Sequence, residues 1–237
     1  MLKKNNFIIS LGFLALLFVI NILTHYIPFE RIIISPDTFT FIGDKKYGLL
    51  NFLLRPDRPL EYIIHELEHF LLGYNFHLYF YYLLFSVFIL TSTAYFFFSL
   101  LFNYKISFIL TLIYIILPSK IEIYHSSIYA WINIVDSMYI ASLAFFILFT
   151  QKKLKIYLVC SFSLYMFAIL SRESGFFIPF ILICYFYFFI KNKNLFDYFK
   201  YLFPYFFLIL INLIYRFTGA FYYTKNTGRE VLLENIP

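Results

Sequence analysis

The chain has 237 residues, of which 62% are hydrophobic and 14% are charged, whereas soluble domains are typically about 45 to 50% apolar. This composition excludes an ordinary water-soluble domain and indicates an integral membrane protein. The net charge of +6 does not predict a nucleic-acid partner, because the basic residues stand mainly in short segments between apolar runs, as they do in membrane proteins.

The first predicted element is the apolar run FIISLGFLALLFVINILTHYI, which follows Lys3 and Lys4. It is long enough to cross a hydrocarbon core of roughly 30 Å. No small-residue cleavage site follows the run, so the pattern predicts a retained membrane anchor and not a cleaved signal peptide.

A mostly polar stretch comes next and is predicted to be a long first loop over roughly residues 28–75. Within it, Pro59 favours the first position of a helix. The apolar residues that follow, including Ile64 and Leu67, recur at helical spacing. This pattern predicts an interfacial helix whose apolar stripe lies on the membrane surface.

Six further apolar runs follow, at residues 77–101, 106–118, 127–150, 156–171, 175–190 and 202–219. With the first span they predict an all-α fold, a polytopic transmembrane bundle of about seven helices. Several runs are shorter than the ~20 residues that a straight span needs. Their ends are therefore expected to extend into flanking Tyr and Ser residues, or the helices to sit where the bilayer is thinned.

The connections between the runs orient the bundle. With a cytoplasmic N-terminus, the inner segments contain a single acid, Asp197, and nine basic residues: Lys3, Lys4, Lys105, Lys152, Lys153, Lys155, Lys191, Lys193 and Lys200. By the positive-inside rule this excess places the first loop in the periplasm, lumen or exterior. We expect a multi-pass protein of the bacterial inner membrane.

The predicted loop helix contains the letters HELEH, which match the zinc-protease signature H-E-x-x-H. In that signature, two histidines one turn apart hold the metal and the glutamate acts as base. Glu68 departs from the usual uncharged spacer, and no third-ligand motif is evident, although Glu122 or Glu173 could fill that role. A membrane zinc protease with ligands His65 and His69 is therefore an alternative to a plain solvated helix face.

Three segments, taken in order, resemble the GT-C glycosyltransferases, integral enzymes that take sugars from lipid-phosphate donors. RPDRPLEYIIHELEHFLLGYNFHLYFYYLLF is similar to the family's RPL and G-x-N block. ILPSKIEIYHSSIYAWINIVDSMYIASLAFFILF is similar to its Pro, His, Trp, acidic and Phe-rich region, and AILSRESGFFIPFILICY to its L-(S/A)-(K/R)-E-x-x-x-x-P turn between two helices. The resemblance is to mannosyltransferase and dolichyl-phosphate-mannose-protein transferase-like members, and it covers roughly residues 1–217.

The resemblance implies transfer of a sugar from a polyprenyl-phosphate-linked donor to a glycan, lipid or protein acceptor on the extracytoplasmic side. The donor keeps its tail among the membrane lipids and its anionic head at the outer interface, so the site is expected between the loop and the helix ends. The acceptor then needs a carboxylate as base or positioning group, and the leaving phosphate needs positive charge. That charge comes from Arg or from a divalent metal ion, the one cofactor left open.

Asp37 is the first candidate for the catalytic carboxylate, because SPDTF follows the first span at the distance where the resembled family places its acid. Asp44 is the second candidate. The other interpretation of Asp37 is a helix cap after Pro36.

The resemblance implies that Arg172, at the same helix junction as Glu173, contacts the lipid phosphate of the donor. Arg55 and Arg58 are predicted to attract the anionic donor, and Arg216 to add to that positive lining. Each also has a simpler interpretation. Arg55 and Arg58 would touch the membrane surface, Arg172 would form an interfacial ion pair with Glu173, and Arg216 would snorkel to the head groups.

Asp136 is predicted to lie about nine residues into the fourth span, which is roughly 13 Å at 1.5 Å per residue. A charge at that depth is expensive unless it faces a cavity or a partner. A polar pocket, functional or structural, is therefore expected around Asp136. His125 is nearby on the outer side and either assists the site or is simply solvated.

The seven-helix module is predicted to span residues 1–219, followed by a short extracytoplasmic tail at 220–237. Members of the resembled family commonly continue through more helices or a soluble domain. The chain is therefore expected to hold the shared module alone, truncated or complete in itself. A non-catalytic membrane remnant of this fold is the third hypothesis.

Overall fold

The computed structural model describes residues 4–25, 59–73, 76–116, 130–190 and 195–227. Within these ranges the chain has eight α-helices, one 3-10 helix and no strand. In chain order the helices are α1 (Lys4–His25), α2 (Pro59–Leu72), α3 (Phe76–Leu101), α4 (Tyr104–Ile116), α5 (Ala130–Lys152), α6 (Lys155–Ser171), the 3-10 helix (Glu173–Phe177), α7 (Ile178–Phe189) and α8 (Leu195–Thr227). The all-α prediction is confirmed for this part of the chain.

Helices α3 and α5 are long and apolar enough to cross a membrane. Their apolar stretches, Leu78–Leu101 and Ala130–Lys152, both have a mean hydropathy of 1.9. At 1.5 Å per residue the shorter stretch is roughly 35 Å long, more than a bilayer core requires. Five shorter apolar helices accompany them, namely Ile9–Ile20, Tyr104–Ile116, Lys155–Ser171, Ser174–Phe189 and Phe199–Tyr215. The seven apolar elements correspond in order to the seven predicted runs, while their insertion as seven spans stays a prediction.

The chain divides into two compact units. The first comprises residues 1–44 and 68–164, and so contains α1, the end of α2, α3 to α5 and most of α6. Its most extensive helix contact joins α3 to α5, while α1 and α4 pack on α3 and on each other. The centre of the α3–α5 contact is a buried cluster of Leu83, Val87, Leu90 and Ala130.

Hydrogen bonds and ring contacts fix the direction of the helices in the first unit. The Gln151 side chain near the end of α5 donates to the Leu100 carbonyl at the end of α3, at 3.4 Å. Helices α3 and α5 therefore run the same way, and α4 returns in the opposite sense. Phe13 of α1 contacts Tyr104 and Phe108, which begin α4, with ring centroids 5.9 and 4.7 Å apart.

A reciprocal serine pair joins α5 to α6. The Ser142 hydroxyl donates to the Ser161 carbonyl at 2.8 Å, and the Ser161 hydroxyl donates to the Ser142 carbonyl at 2.6 Å. Both residues are fully buried. Small side chains allow such close approach of two backbones, and helix-to-helix hydrogen bonds in membranes contribute about 0.6 to 1.7 kcal/mol each.

The second unit comprises residues 45–67 and 165–237, and thus most of α2, the end of α6, the 3-10 helix, α7 and α8. Phe180 of α7 meets Phe206 of α8 edge to face, with ring centroids 5.6 Å apart. Asn212 of α8 donates from Nδ2 to the Ile169 carbonyl at 3.1 Å. These contacts tie α8 to both neighbouring helices of its unit.

Helix α8 is longer than the apolar run that predicted it. The run was placed at residues 202–219, whereas the helix covers Leu195–Thr227 and includes Pro204 in its interior. The run was defined by hydropathy alone, and the flanking turns contain polar residues that a hydropathy pattern excludes. The helix therefore continues into the segment that was predicted to be a tail.

Candidate functional site

A polar seam is defined here as Ser86, Asn133 and Asp136. Ser86 of α3 and Asn133 of α5 meet across the contact between these helices, and Asp136 follows on α5. Asn133 is fully buried, and its Nδ2 donates to the Ser86 hydroxyl oxygen at 3.1 Å. That hydroxyl in turn donates to the Leu83 carbonyl of its own helix at 2.7 Å. The seam links the two long apolar helices in their N-terminal halves.

The amide oxygen of Asn133 is the unusual atom of the seam. It is buried and accepts no hydrogen bond within the described part of the chain. Turning the amide round would not satisfy both ends, because the only hydroxyl hydrogen of Ser86 already goes to Leu83. A buried acceptor that has no hydrogen bond lowers the stability of the folded state by about 1 to 3 kcal/mol.

Asp136 follows Asn133 by three residues, a spacing that places both on one side of an α-helix. It is half-buried, and it lies close enough to Tyr114 of α4 for an electrostatic interaction. Tyr114 also packs against the buried Leu83 cluster. Counted from Ala130, Asp136 is six residues into α5, or about 9 Å along the axis.

Glu68 near the end of α2 is a second acid that faces inward. Only 8% of its surface is exposed, and its carboxylate is placed to accept a hydrogen bond from the Tyr82 hydroxyl of α3. The interpretation of this face of α2 as solvated is therefore wrong at Glu68. The reason is that tyrosines at the start of α3 offer the carboxylate a partner that the local pattern of α2 does not reveal.

Apolar side chains of α2 lie on the outside of the protein. Leu67, Phe70 and Leu71 are 55%, 84% and 63% exposed. The helix then ends at Gly73, whose φ of +55° is the left-handed conformation common after a helix C-terminus. The interfacial position of this helix stays a prediction.

The zinc-protease letters lie within α2. The helix spans both His65 and His69, but the side chains of these residues lie outside the described residues, as does that of Glu66. Among the side chains that are described, no group of three or more His, Cys, Asp or Glu residues could hold a metal ion. The zinc hypothesis therefore stays a prediction.

Five of the predicted site residues lie wholly outside the described residues. They are Asp37, Asp44, Arg55, Arg58 and His125. Their proposed roles as catalytic carboxylates or donor contacts therefore stay predictions.

Arg172 separates α6 from the 3-10 helix in the second unit. Its backbone N–H donates to the Ala168 carbonyl at 2.9 Å, and its own backbone is extended, with φ −154° and ψ 143°. The 3-10 helix then leads into α7, where Pro179 occupies a first-turn position suited to proline. Arg172 is half-buried at this junction.

Two further predicted residues belong to helices of the second unit. Glu173 begins the 3-10 helix and Arg216 lies in α8. The side chains of both are outside the described residues, so the donor contact predicted for Arg216 and the substrate-site or ion-pair role predicted for Glu173 stay predictions. Asp136 belongs to the first unit and Arg172 to the second.

The sequence analysis identified Asp136 but missed Asn133 and Ser86. A signal was present for Asn133, because WINIVDSMY places two strongly polar residues three apart inside an apolar run. Ser86 gave no comparable signal, since serine in an apolar helix commonly bonds to its own backbone. Its part in the seam depends on how α3 and α5 pack.

Comparisons of the chain with protein-family models, with curated protein sequences and with solved structures find no match. The family resemblance of the three segments therefore rests on their residues alone.

Proposed function

We propose that the chain is a multi-pass membrane glycosyltransferase of the GT-C type. It would move a sugar from a polyprenyl-phosphate-linked donor to a glycan, lipid or protein acceptor on the extracytoplasmic side. The observation that carries the proposal is the half-buried carboxylate of Asp136 in a long apolar helix, one turn from the buried amide of Asn133. Ionisable residues within membrane helices generally mark substrate pathways or sites.

The surface of the helices supports a membrane location for this site. Large apolar side chains are exposed along the long and the short helices alike, including Phe85 at 57%, Phe180 at 55% and Phe188 at 69%. So many exposed large apolar side chains are costly in water and natural in lipid. The seam therefore lies inside a protein whose outer faces suit hydrocarbon.

The distribution of charge supports the orientation in which the seam is near the outer face. In the first unit, four exposed lysines occupy the connections at the end where α3 and α5 finish, namely Lys105, Lys152, Lys153 and Lys155. Asp136 lies near the start of α5 instead, and Glu68 beside the start of α3. By the positive-inside rule the lysine end is cytoplasmic, so the two acids belong to the outer half.

The chemistry of the reaction assigns complementary roles to the remaining candidates. Asp37, or Asp44 in its place, would activate or position the hydroxyl or amide of the acceptor. Arg172, with Arg55, Arg58 and Arg216, would stabilise the charge on the departing phosphate. A divalent metal ion would serve the same purpose if the enzyme uses one.

The test compares surface glycans of cells that lack the native gene and express single variants. We expect Asp37→Ala to abolish the transferred sugar in glycan mass spectrometry, because the acceptor loses its base. His65→Ala is the matched control on the same loop and is expected to leave transfer largely intact. Transfer that survives both Asp37→Ala and Asp44→Ala would contradict the proposal.

A second candidate, a membrane zinc protease, is favoured by one observation, the helical conformation of α2 across both His65 and His69. Such a protein would purify with stoichiometric zinc and lose it in His65→Ala. Absence of bound zinc, together with unchanged glycans in every variant, would instead support the third hypothesis, a non-catalytic remnant of the fold.

A further inference from the structure

We propose that the end of the first unit where α3 and α5 finish binds the phosphate headgroup of an anionic phospholipid. Three exposed lysines would hold the phosphate: Lys105 near the start of α4, Lys152 at the end of α5 and Lys155 at the start of α6. This site is distinct from the proposed site of sugar transfer and does not depend on that activity. It requires only that these helices lie in a membrane.

Two helix junctions meet at this end of the unit. The Gln151 side chain donates from Nε2 to the Leu100 carbonyl at 3.4 Å, so the last turns of α5 and α3 are in contact. Each junction is short, with only residues 102–103 between α3 and α4 and residues 153–154 between α5 and α6. Lysines from two separate connections therefore lie at one end of the same unit.

The Lys152 ammonium is positioned by aromatic rings at the α5–α6 junction. Its Nζ lies over the Tyr157 ring, 5.5 Å from the centroid, where a cation is attracted by the ring face. The Tyr157 ring in turn stacks on Phe145 of α5, with centroids 6.2 Å apart. A side chain that is already ordered loses less conformational entropy when it binds a ligand.

The charge at this end has no acid of the same unit beside it among the described residues. The described side chains of the unit include two acids, Glu68 and Asp136, and these lie beside the start of α3 and near the start of α5. Basic clusters at the ends of membrane helices attract anionic lipid headgroups. The ligand expected at the lysines is therefore an anion, and phosphate accepts hydrogen bonds from ammonium groups.

Exposed apolar side chains continue from the lysines along the helices. Lys105, Ile109 and Ile113 recur at every fourth residue of α4, and Lys155 and Val159 have the same spacing on α6, so each set shares one helix face. All five side chains are exposed. A soluble phosphate compound would contact the lysines alone, whereas a phospholipid would also lay its acyl chains on the apolar residues. The combination favours a phospholipid, and the positive-inside rule assigns it to the cytoplasmic leaflet.

The experiment measures binding of three probes to the purified full-length protein in detergent, by native mass spectrometry. The probes are short-chain phosphatidylglycerol, short-chain phosphatidylcholine, which has no net charge, and glycerol phosphate, which has no acyl chains. We expect phosphatidylglycerol to bind wild-type protein at least about fivefold more tightly than either other probe. One lysine near an anionic lipid contributes about this factor, equivalent to ~1 kcal/mol.

Lys105→Gln, Lys152→Gln and Lys155→Gln are each expected to weaken phosphatidylglycerol binding about fivefold and to leave phosphatidylcholine binding unchanged. Lys152→Arg keeps the charge and should retain wild-type affinity. Lys200→Gln is the matched control, because Lys200 is likewise exposed and its Nζ lies 5.0 Å from the centroid of the Tyr201 ring, but it belongs to the second unit. It should bind phosphatidylglycerol as wild type does.

Four results would overturn the inference. Phosphatidylcholine could bind wild type as tightly as phosphatidylglycerol, or glycerol phosphate could do so, which would indicate a soluble phosphate ligand. All three glutamine variants of the proposed site could keep wild-type affinity. Lys200→Gln could weaken binding as much as they do, as expected if net charge alone attracts the lipid. None of these results bears on sugar transfer, because no probe carries a sugar.

Discussion

Individual polar residues that lie among apolar side chains make the hydrogen bonds between the helices of the first unit. The reciprocal bonds of Ser142 and Ser161 join two helices, and the Asn133 amide meets Ser86 across another pair. The first pair is satisfied at both hydroxyls, whereas the second leaves a buried acceptor open. The satisfied pair is therefore assigned to stability.

For the serine pair, we expect Ser142→Ala to lower the free energy of unfolding by about 0.6 to 1.7 kcal/mol, since one helix-to-helix bond is lost. Thermal unfolding in detergent measures the change. Thr93→Ala is the control, because the Thr93 hydroxyl bonds only to the Ile89 carbonyl of its own helix. If Ser142→Ala and Thr93→Ala lowered the free energy of unfolding equally, the serine pair would not stabilise the packing of α5 on α6.

For Asp136, we expect Asp136→Asn to reduce sugar transfer at least tenfold, because the neutral amide is a weaker acceptor for a sugar hydroxyl than a carboxylate. The protein should still fold, since the shape is conserved. Ser137→Ala is the neighbouring control, as its hydroxyl serves only its own helix turn. If the Asp136→Asn variant transferred sugar at the wild-type rate, the Asp136 carboxylate would not be part of the site.

At the scale of the elements, the apolar runs predicted the order of the seven apolar helices, and the helical spacing after Pro59 predicted α2. The partners of single residues could not be predicted. Asp136 was predicted to lie in a polar pocket because a charge interrupts an apolar run, and its role in a site stays a prediction. The burial of Glu68 was not found, since it depends on tyrosines of α3 that approach only after α2 has folded back at Gly73. A sequence pattern predicts each helix separately, whereas the burial of a residue such as Glu68 depends on the contact between two helices.

Replacing glycine by alanine should have opposite effects on stability at Gly73, after α2, and at Gly12, within α1. Gly73 has φ +55°, so Gly73→Ala should destabilise the protein by about 1 kcal/mol. Gly12 lies within α1, where alanine is favoured by about 0.5 to 1 kcal/mol over glycine. An added Cβ meets nothing within 4 Å at either position, so the backbone alone decides. Melting temperatures that shift in the same direction would refute this explanation.

The orientation of the helices is tested by cysteine labelling in a variant without Cys160 and Cys184. Asn103→Cys lies in the lysine-bearing α3–α4 connection, and Ser174→Cys lies in the 3-10 helix before α7; both native side chains are exposed. A membrane-impermeant thiol reagent should label Ser174→Cys in intact cells and Asn103→Cys only after permeabilisation. The reverse pattern would invert the proposed topology.

For the molecule as a whole, the proposed reaction requires that a carboxylate of the first loop acts on a lipid-linked substrate at the outer face. The composition predicted the membrane, and the lysines predicted the orientation. The choice of sugar and acceptor could not be predicted, because it depends on side-chain positions across several helices and on the first loop. Asp37 therefore remains the decisive residue for the proposed reaction.

The most direct measurement uses the purified protein in proteoliposomes with polyprenyl-phosphate-linked sugars labelled on the sugar, in the presence of cell-envelope extract as acceptor. The account predicts that the label leaves the lipid fraction with wild-type protein and stays there with Asp37→Ala, while His65→Ala behaves as wild type. If the label stays in the lipid fraction with wild-type protein for every sugar tested, or if it leaves equally with Asp37→Ala, the protein is not the transferase proposed.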